Sequence, residues 1–177
     1  MTTRSALREV AVLAFPRIGD PPADGWDTWQ YIPERIFVAQ LTLLRDHGWS
    51  VIDHDAFLQA LVDPTELPER AVLLTFDDGC RSMRQTVLPL LGRFDFPAVL
   101  YVPTDYIGRT TSFDAGVEPE EPICDWDDLR TLECNGISIQ SHGTSHYWLS
   151  LLTAEQLDRE LAESKRVLED GLGKSVH

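Results

Sequence analysis

Short apolar runs alternate along this chain with amphipathic segments, and that alternation reads as an α/β fold. Glu9–Phe15 (EVAVLAF) is predicted as a first strand, followed by a loop rich in Gly, Pro and Asp from Pro16 to Gln30. Pro33 is expected at the first position of a helix whose Ile36, Phe37, Leu41 and Leu44 share one apolar face, with Gly48 just past its end. Ser50–Asp53 reads as a short second strand, and Asp55 as the start of a helix to Leu61, with a loop at Pro64–Glu69. Ala71–Phe76 (AVLLTF) is a continuous apolar run, the pattern of a strand buried on both faces in a parallel sheet or barrel. A helix bent by Pro89 is expected over Ser82–Arg93, then a strand at Pro97–Val102. Gly108–Ile123 is acidic and long for a loop, which suggests function or disorder. Asp125 is expected to cap a helix over Trp126–Cys134, and Gly136–Gln140 to form the next strand. Thr153 and Gln156 have capping-box spacing at the start of a last helix, which Gly171 should end.

A chain of 177 residues suits one domain, and 43% apolar with 25% charged residues predicts a packed soluble core rather than disorder. Acidic residues outnumber basic ones 29 to 15. The resulting charge of −14 disfavours nucleic acid and anionic membranes as partners and fits a neutral or cationic substrate. No stretch approaches the roughly 18 apolar residues of a membrane span. The start, MTTRSALREVAVLAF, carries Glu9 just before its apolar run and no small-residue cleavage site. It does not read as a signal peptide, so the chain as written is expected in the cytoplasm, with its natural start left open. Cys80, Cys124 and Cys134 are odd in number and not closely paired, which suggests a reducing compartment and no disulfide framework.

Two vicinal carboxylates, Asp77 and Asp78, follow the most apolar strand and precede Gly79. Strand side chains alternate faces, whereas a turn opened by glycine can bring both to one place. Strand C-termini are where parallel α/β folds build their sites. The plainer reading of Asp78-Gly79 is a turn and helix cap. His142 and His146 stand in SHGTSHYWLS directly after the strand GISIQ. On a helical turn, histidines four apart share a face and can chelate one ion, though such a pair is as often structural. Two histidines and a carboxylate at two strand ends form a familiar metal set with positions left open.

Thr75-Phe76-Asp77-Asp78-Gly79 resembles the first motif of the polysaccharide deacetylase family, the NodB-homology or carbohydrate esterase family 4 group. Ser141-His142-Gly143-Thr144-Ser145-His146 resembles its second motif, and AFPRIGD, AQLTLLRDHGW and SVID are similar to the leader of its exopolysaccharide-type members. The resemblance implies an α/β fold, the first part of a distorted (β/α)7 barrel with its C-terminal strands missing. Residues 1–69 would be the leader and 70–177 the first part of the catalytic domain. It implies that Asp78, His142 and His146 hold a divalent metal, usually zinc, sometimes cobalt or nickel, and that Asp77 is the general base. Such an ion polarises an amide carbonyl and lowers the pKa of water, and a neighbouring carboxylate can take the proton. The implied activity is hydrolysis of N-acetyl groups on an amino-sugar polymer. The alternatives are O-acetyl ester hydrolysis of the xylan type and a metal- or glycan-binding remnant.

The sequence also departs from that pattern. Phe15-Pro16 stands where the leader usually has Tyr-His, and Cys80 where an aromatic residue is common, so a thiol ligand is an alternative to a small buried hydrophobe. The family's third motif and its later acid-bearing motifs would fall after Val176, so the chain reads as truncated, with little activity alone. An open sheet edge is then expected to favour oligomers. Asp53-His54-Asp55 and Asp125-Trp126-Asp127-Asp128 read as helix starts rather than ligands, with Asp55 and Asp125 as caps. Trp148 reads as core, the acidic run Glu118–Glu121 as a solvated loop, and His47 and His177 have no evident partners.

Overall fold

The computed structural model of the chain describes residues 8–177; what the signal-peptide reading draws from residues 1–7 lies outside them. The strands are β1 (Val10–Phe15), β2 (Arg17–Ile18), β3 (Tyr31–Ile32), β4 (Ser50–Val51), β5 (Ala71–Phe76), β6 (Ala98–Val102) and β7 (Ile137–Ser141). The α-helices are α1 (Glu34–Asp46), α2 (His54–Val62), α3 (Leu88–Gly92), α4 (Trp126–Cys134) and α5 (Ala154–Leu172). The α/β expectation holds: β1, β4, β5, β6 and β7 form one sheet in which every pairing is parallel.

β5 is the axis of that sheet. β1 pairs with it over all six residues, from Val10 opposite Ala71 to Phe15 opposite Phe76. On its other side β4 meets Ala71 and Val72, while β6 meets Thr75 and Phe76. All six β5 residues are buried, as the unbroken apolar run requires of a strand covered on both faces. Phe15, Phe37 and Phe76 pack at centroid distances of 5.1–5.9 Å and lock α1 onto the sheet. Each such buried ring contributes about 1.5–3 kcal/mol. Because the strands are parallel, the segments after β5, β6 and β7 all leave at the same end of the sheet.

Several local expectations are corrected. Pro33 is the N-cap of α1 rather than its first residue, and its carbonyl accepts from Ile36 and Phe37. Asp53, not Asp55, caps α2, accepting from the Ala56 N–H at 2.8 Å; only this extended residue can turn its carboxylate onto the orphan donors. The expected 82–93 helix runs unbroken from Ser82 to Gly92, but its Met83–Val87 stretch is π-type and leads directly into α3, so the widened turn just before Pro89 is where the helix adjusts to the proline. Asp125 caps α4 and Thr153 caps α5 in a capping box with Gln156, as predicted; the Asp125 cap is also a full box, with Asp128. Gly173, in the left-handed conformation, ends α5 instead of Gly171. Gly171 lies inside the helix, at a position where a Cβ would run into the Trp126 ring, so its glycine serves close packing rather than helix termination.

The 108–123 segment is folded. It bridges Cys80 at Ile123 and contains a 3₁₀ turn at Ser112–Asp114. Its acidic run is not simply solvated: Glu118 is buried and accepts from the Thr28 hydroxyl at 2.6 Å. Trp148, expected in the core, is 76% exposed. His47 does have a partner, its Nδ1 lying 3.0 Å from the Leu43 carbonyl, and the backbone N–H of His177 donates to Gln140.

Candidate metal centre

Asp77 and Asp78 leave the end of β5 through a turn in which Asp78 has φ +66° and Gly79 φ +74°. A side chain at Gly79 would meet both Val102 methyls at 3.2 Å, so the turn closes only on glycine. The left-handed backbone at Asp78 aims its carboxylate across the strand ends. This conformation is uncommon outside glycine and tolerated best by Asp and Asn.

His142 and His146 follow β7, and both expected histidines reach the same place as Asp78. The Asp78 Oδ1 atom lies 3.6 Å from His142 Nε2 and 3.2 Å from His146 Nε2. The three ligand atoms all fall within 4.8 Å of one another. The expected helical turn is not what brings the histidines together. Residues 142–146 form an irregular loop with Gly143 at φ +78° and His146 at φ +60°. This loop is held from both sides. Thr104 and Asp105, just after β6, donate backbone N–H groups to Gly143 and Thr144. From α5, Glu160 Oε1 accepts from the N–H groups of Thr144 at 2.8 Å and Ser145 at 2.5 Å. Glu160 was not singled out in the sequence, although it lies on the helix face that also carries buried Ser164 and Leu168, four and eight residues on.

Electrostatics separates the four groups. Burial pushes the Asp78 carboxyl up, but the His146 hydrogen bond and the His146, His142 and Arg17 charges outweigh it and hold it below the usual range. His146 is conversely raised, since the Asp78 hydrogen bond and charge overcome its burial. Burial lowers His142 despite Asp77 and Asp78, favouring a neutral imidazole. Burial raises Asp77, with Asp78 adding to the effect and His142 opposing it. Asp77 is not among the three converging ligand groups. Its peptide instead closes the turn, its carbonyl accepting from Gly79 at 2.8 Å.

The donor set suits a divalent ion. A tetrahedral zinc at about 2.0–2.1 Å from each ligand would place those ligand atoms about 3.3–3.4 Å apart, close to the two Asp78–histidine spacings of 3.6 and 3.2 Å. Cys80 is 2% exposed, lies outside the ligand cluster, and accepts at its carbonyl from the Cys124 thiol at 3.5 Å. It behaves as a small buried hydrophobe. Asp53, Asp55, Asp125, Asp127 and Asp128 serve helix starts away from the cluster.

Phe113 packs on one ligand of the cluster, and no local pattern in the sequence marks it. Its ring lies on that of His146, with centroids 4.1 Å apart, and is backed edge-on by Tyr106 at 4.8 Å.

The family model for polysaccharide deacetylase matches residues 65–177. The chain is 27% identical to YxkH of Bacillus subtilis (strain 168) over 139 residues, 78% of this chain and 46% of that protein. It is 40% identical over 60 residues to the poly-beta-1,6-N-acetyl-D-glucosamine N-deacetylase of Escherichia coli (strain K12), 34% of this chain and 9% of that protein. The chain thus spans at most about half the length of these relatives. Among solved structures it matches IcaB from Ammonifex degensii with TM-score 0.80 at 22% identity, covering 94% of this chain and 71% of that one. The Streptococcus pyogenes deacetylase PplD matches with TM-score 0.79 at 19% identity, covering 94% and 70%. The shared fold is the partial, distorted (β/α)7 barrel expected from the sequence.

Proposed function

The chain belongs to the polysaccharide deacetylase family, and on that premise we propose that it hydrolyses N-acetyl groups of an amino-sugar polymer with a divalent metal ion. The observation that carries the reading is the convergence of Asp78, His142 and His146 at the C-terminal ends of β5 and β7. These three residues hold the ion, with zinc the best fit to two imidazoles and a carboxylate, and cobalt or nickel as replacements. When bound, the ion supplies Lewis-acid polarisation of the acetyl carbonyl and brings the pKa of water toward neutrality.

Asp77 is the general base. Its burial-raised carboxyl can take a proton from the attacking water and stays outside the ligand set, so the two adjacent carboxylates divide the work. Water adds to the carbonyl carbon as its proton passes to Asp77, the C–N bond breaks as that proton is delivered to the departing nitrogen, and the products are acetate and a free amine. The N-acetyl preference is supported by the 40% identity to the Escherichia coli N-deacetylase. The net charge of −14 suits a polymer that becomes cationic as its amines are freed.

The test is acetate release by the whole protein from an N-acetylglucosamine oligomer, with an O-acetylated xylo-oligosaccharide beside it. Release should stop with chelator and return with zinc. Chelator-insensitive release would refute the metal role, and exclusive release from the xylan substrate would refute the N-acetyl assignment.

A further inference from the structure

We infer that Arg17 is a positioning residue of the metal centre, acting through the 108–123 loop and the Phe113 ring. The inference rests on the proposed ion at Asp78, His142 and His146. Arg17 is the one buried arginine or lysine among the described residues, at 3% exposure. It lies on β2, in the stretch where the chain departs from the usual leader. Its Nη1 donates to the Pro119 carbonyl at 2.9 Å and the Tyr31 hydroxyl at 3.1 Å, and lies 3.6 Å from Glu121 Oε1. Its Nη2 lies 3.6 Å from Asp114 Oδ2. Tyr31 in turn donates to Glu121 at 2.6 Å.

The loop needs such a cation. It carries Asp114, Glu118, Glu120 and Glu121, and it packs at the end of the sheet that already holds Asp77 and Asp78. Like charges gathered in a partly dry place repel strongly unless a counter-charge sits among them. Arg17 is that counter-charge, centred between Asp114 and Glu121. Asp114 and Phe113 belong to one 3₁₀ turn, so fixing the first places the second on the His146 ring. The chain of contact therefore runs from Arg17 to Asp114, through one turn to Phe113, and on to His146.

Arg17 is a poor choice for stability alone. Its Nε and Nη2 are buried without a hydrogen-bond partner. A buried charge with idle donors is often matched or bettered by an apolar side chain. Partners behind a metal ligand, by contrast, fix its orientation and strengthen binding.

The experiment uses the chain with Arg17→Met, Arg17→Lys and Phe113→Ala, each checked for folding by circular dichroism. Cobalt affinity is measured by chelator competition, and cleavage at Glu118 and Glu121 by a glutamate-specific protease. Arg17→Met should weaken cobalt binding about 10-fold, the low end of what losing a direct partner of a metal ligand costs, because Arg17 acts through Asp114 and Phe113, and should open the loop to cleavage. Arg17→Lys should give a smaller loss, because an ammonium keeps the charge and loses the planar fork. Phe113→Ala should weaken cobalt binding while Glu118 stays protected.

An opened loop with cobalt affinity within about twofold of the unaltered chain, far from the expected loss, would make Arg17 purely structural and overturn the inference. If Arg17→Met does not fold, the other two variants decide, and unchanged affinity in both overturns it. An unaltered chain that binds no cobalt overturns the metal reading itself and this inference with it.

Discussion

Glu160 is the sharpest test of how the histidine loop is held. Its carboxylate accepts from the N–H groups of Thr144 and Ser145 and from the Ser145 hydroxyl at 2.9 and 3.0 Å. Glu160→Ala removes all of these acceptors together. A bond to a charged acceptor contributes about 1.5–3 kcal/mol when buried. Glu160 is only partly buried, which brings the total for the set down to about 2–3 kcal/mol. In a protein of this size that is a fall in Tm of about 4–12 °C. The loop also contains two left-handed residues, Gly143 and His146, which persist only while their surroundings hold them. Losing the carboxylate should therefore weaken cobalt or zinc binding about 10–100-fold. Glu160→Gln keeps a carbonyl oxygen for the two N–H groups and should lose about 1 kcal/mol. Thermal melting without metal and chelator-competition titration measure the two effects separately. If Glu160→Ala melts and binds cobalt like the unaltered chain, the loop is not held from α5 and the reasoning is wrong.

Asp77→Asn in the whole protein should abolish turnover with metal content near normal, whereas Asp78→Asn should lower metal affinity; metal analysis giving the reverse pattern would exchange the two roles. The raised His146 pKa means that a proton competes with the ion, so cobalt affinity should fall about tenfold per pH unit below that pKa and level off above it. In the metal-free chain the signs are opposite for the two partners. The stability from His146 is full below its unfolded pKa of about 6.5 and lost as pH rises through the higher folded value. That from Asp78 is present above about pH 3.9 and lost as pH falls through its lower folded value; melting temperatures across pH read both. Val12 and Leu13, adjacent on β1, are 51% and 37% exposed, so the chain should self-associate and Leu13→Lys should reduce this, as read by light scattering.

Much of the site was legible because its parts are local. The apolar run Ala71–Phe76 fixes a buried strand, and a dipeptide of aspartates before glycine then has to emerge at that strand's end. The His-x-x-x-His spacing after a second strand gives the other half. Caps such as Asp125 and Thr153 were equally readable, because each is a contact between a side chain and the backbone two or three residues on. What failed was of another kind. The histidines were expected to meet by helical spacing. They meet in a left-handed loop held by Glu160, fifteen or sixteen residues away in sequence. The acidic 118–121 run was expected in water, but its partners are Arg17, Thr28 and Tyr31, about 90 to 104 positions earlier. Phe113 has no local pattern that would send it to His146. Local hydrogen bonding and periodicity are written into neighbouring residues, so the sequence itself determined the strands, the caps and the ligand types. The loops that aim those ligands are fixed by charge pairs and ring contacts that exist only after the parallel strands have brought distant segments to one end of the sheet.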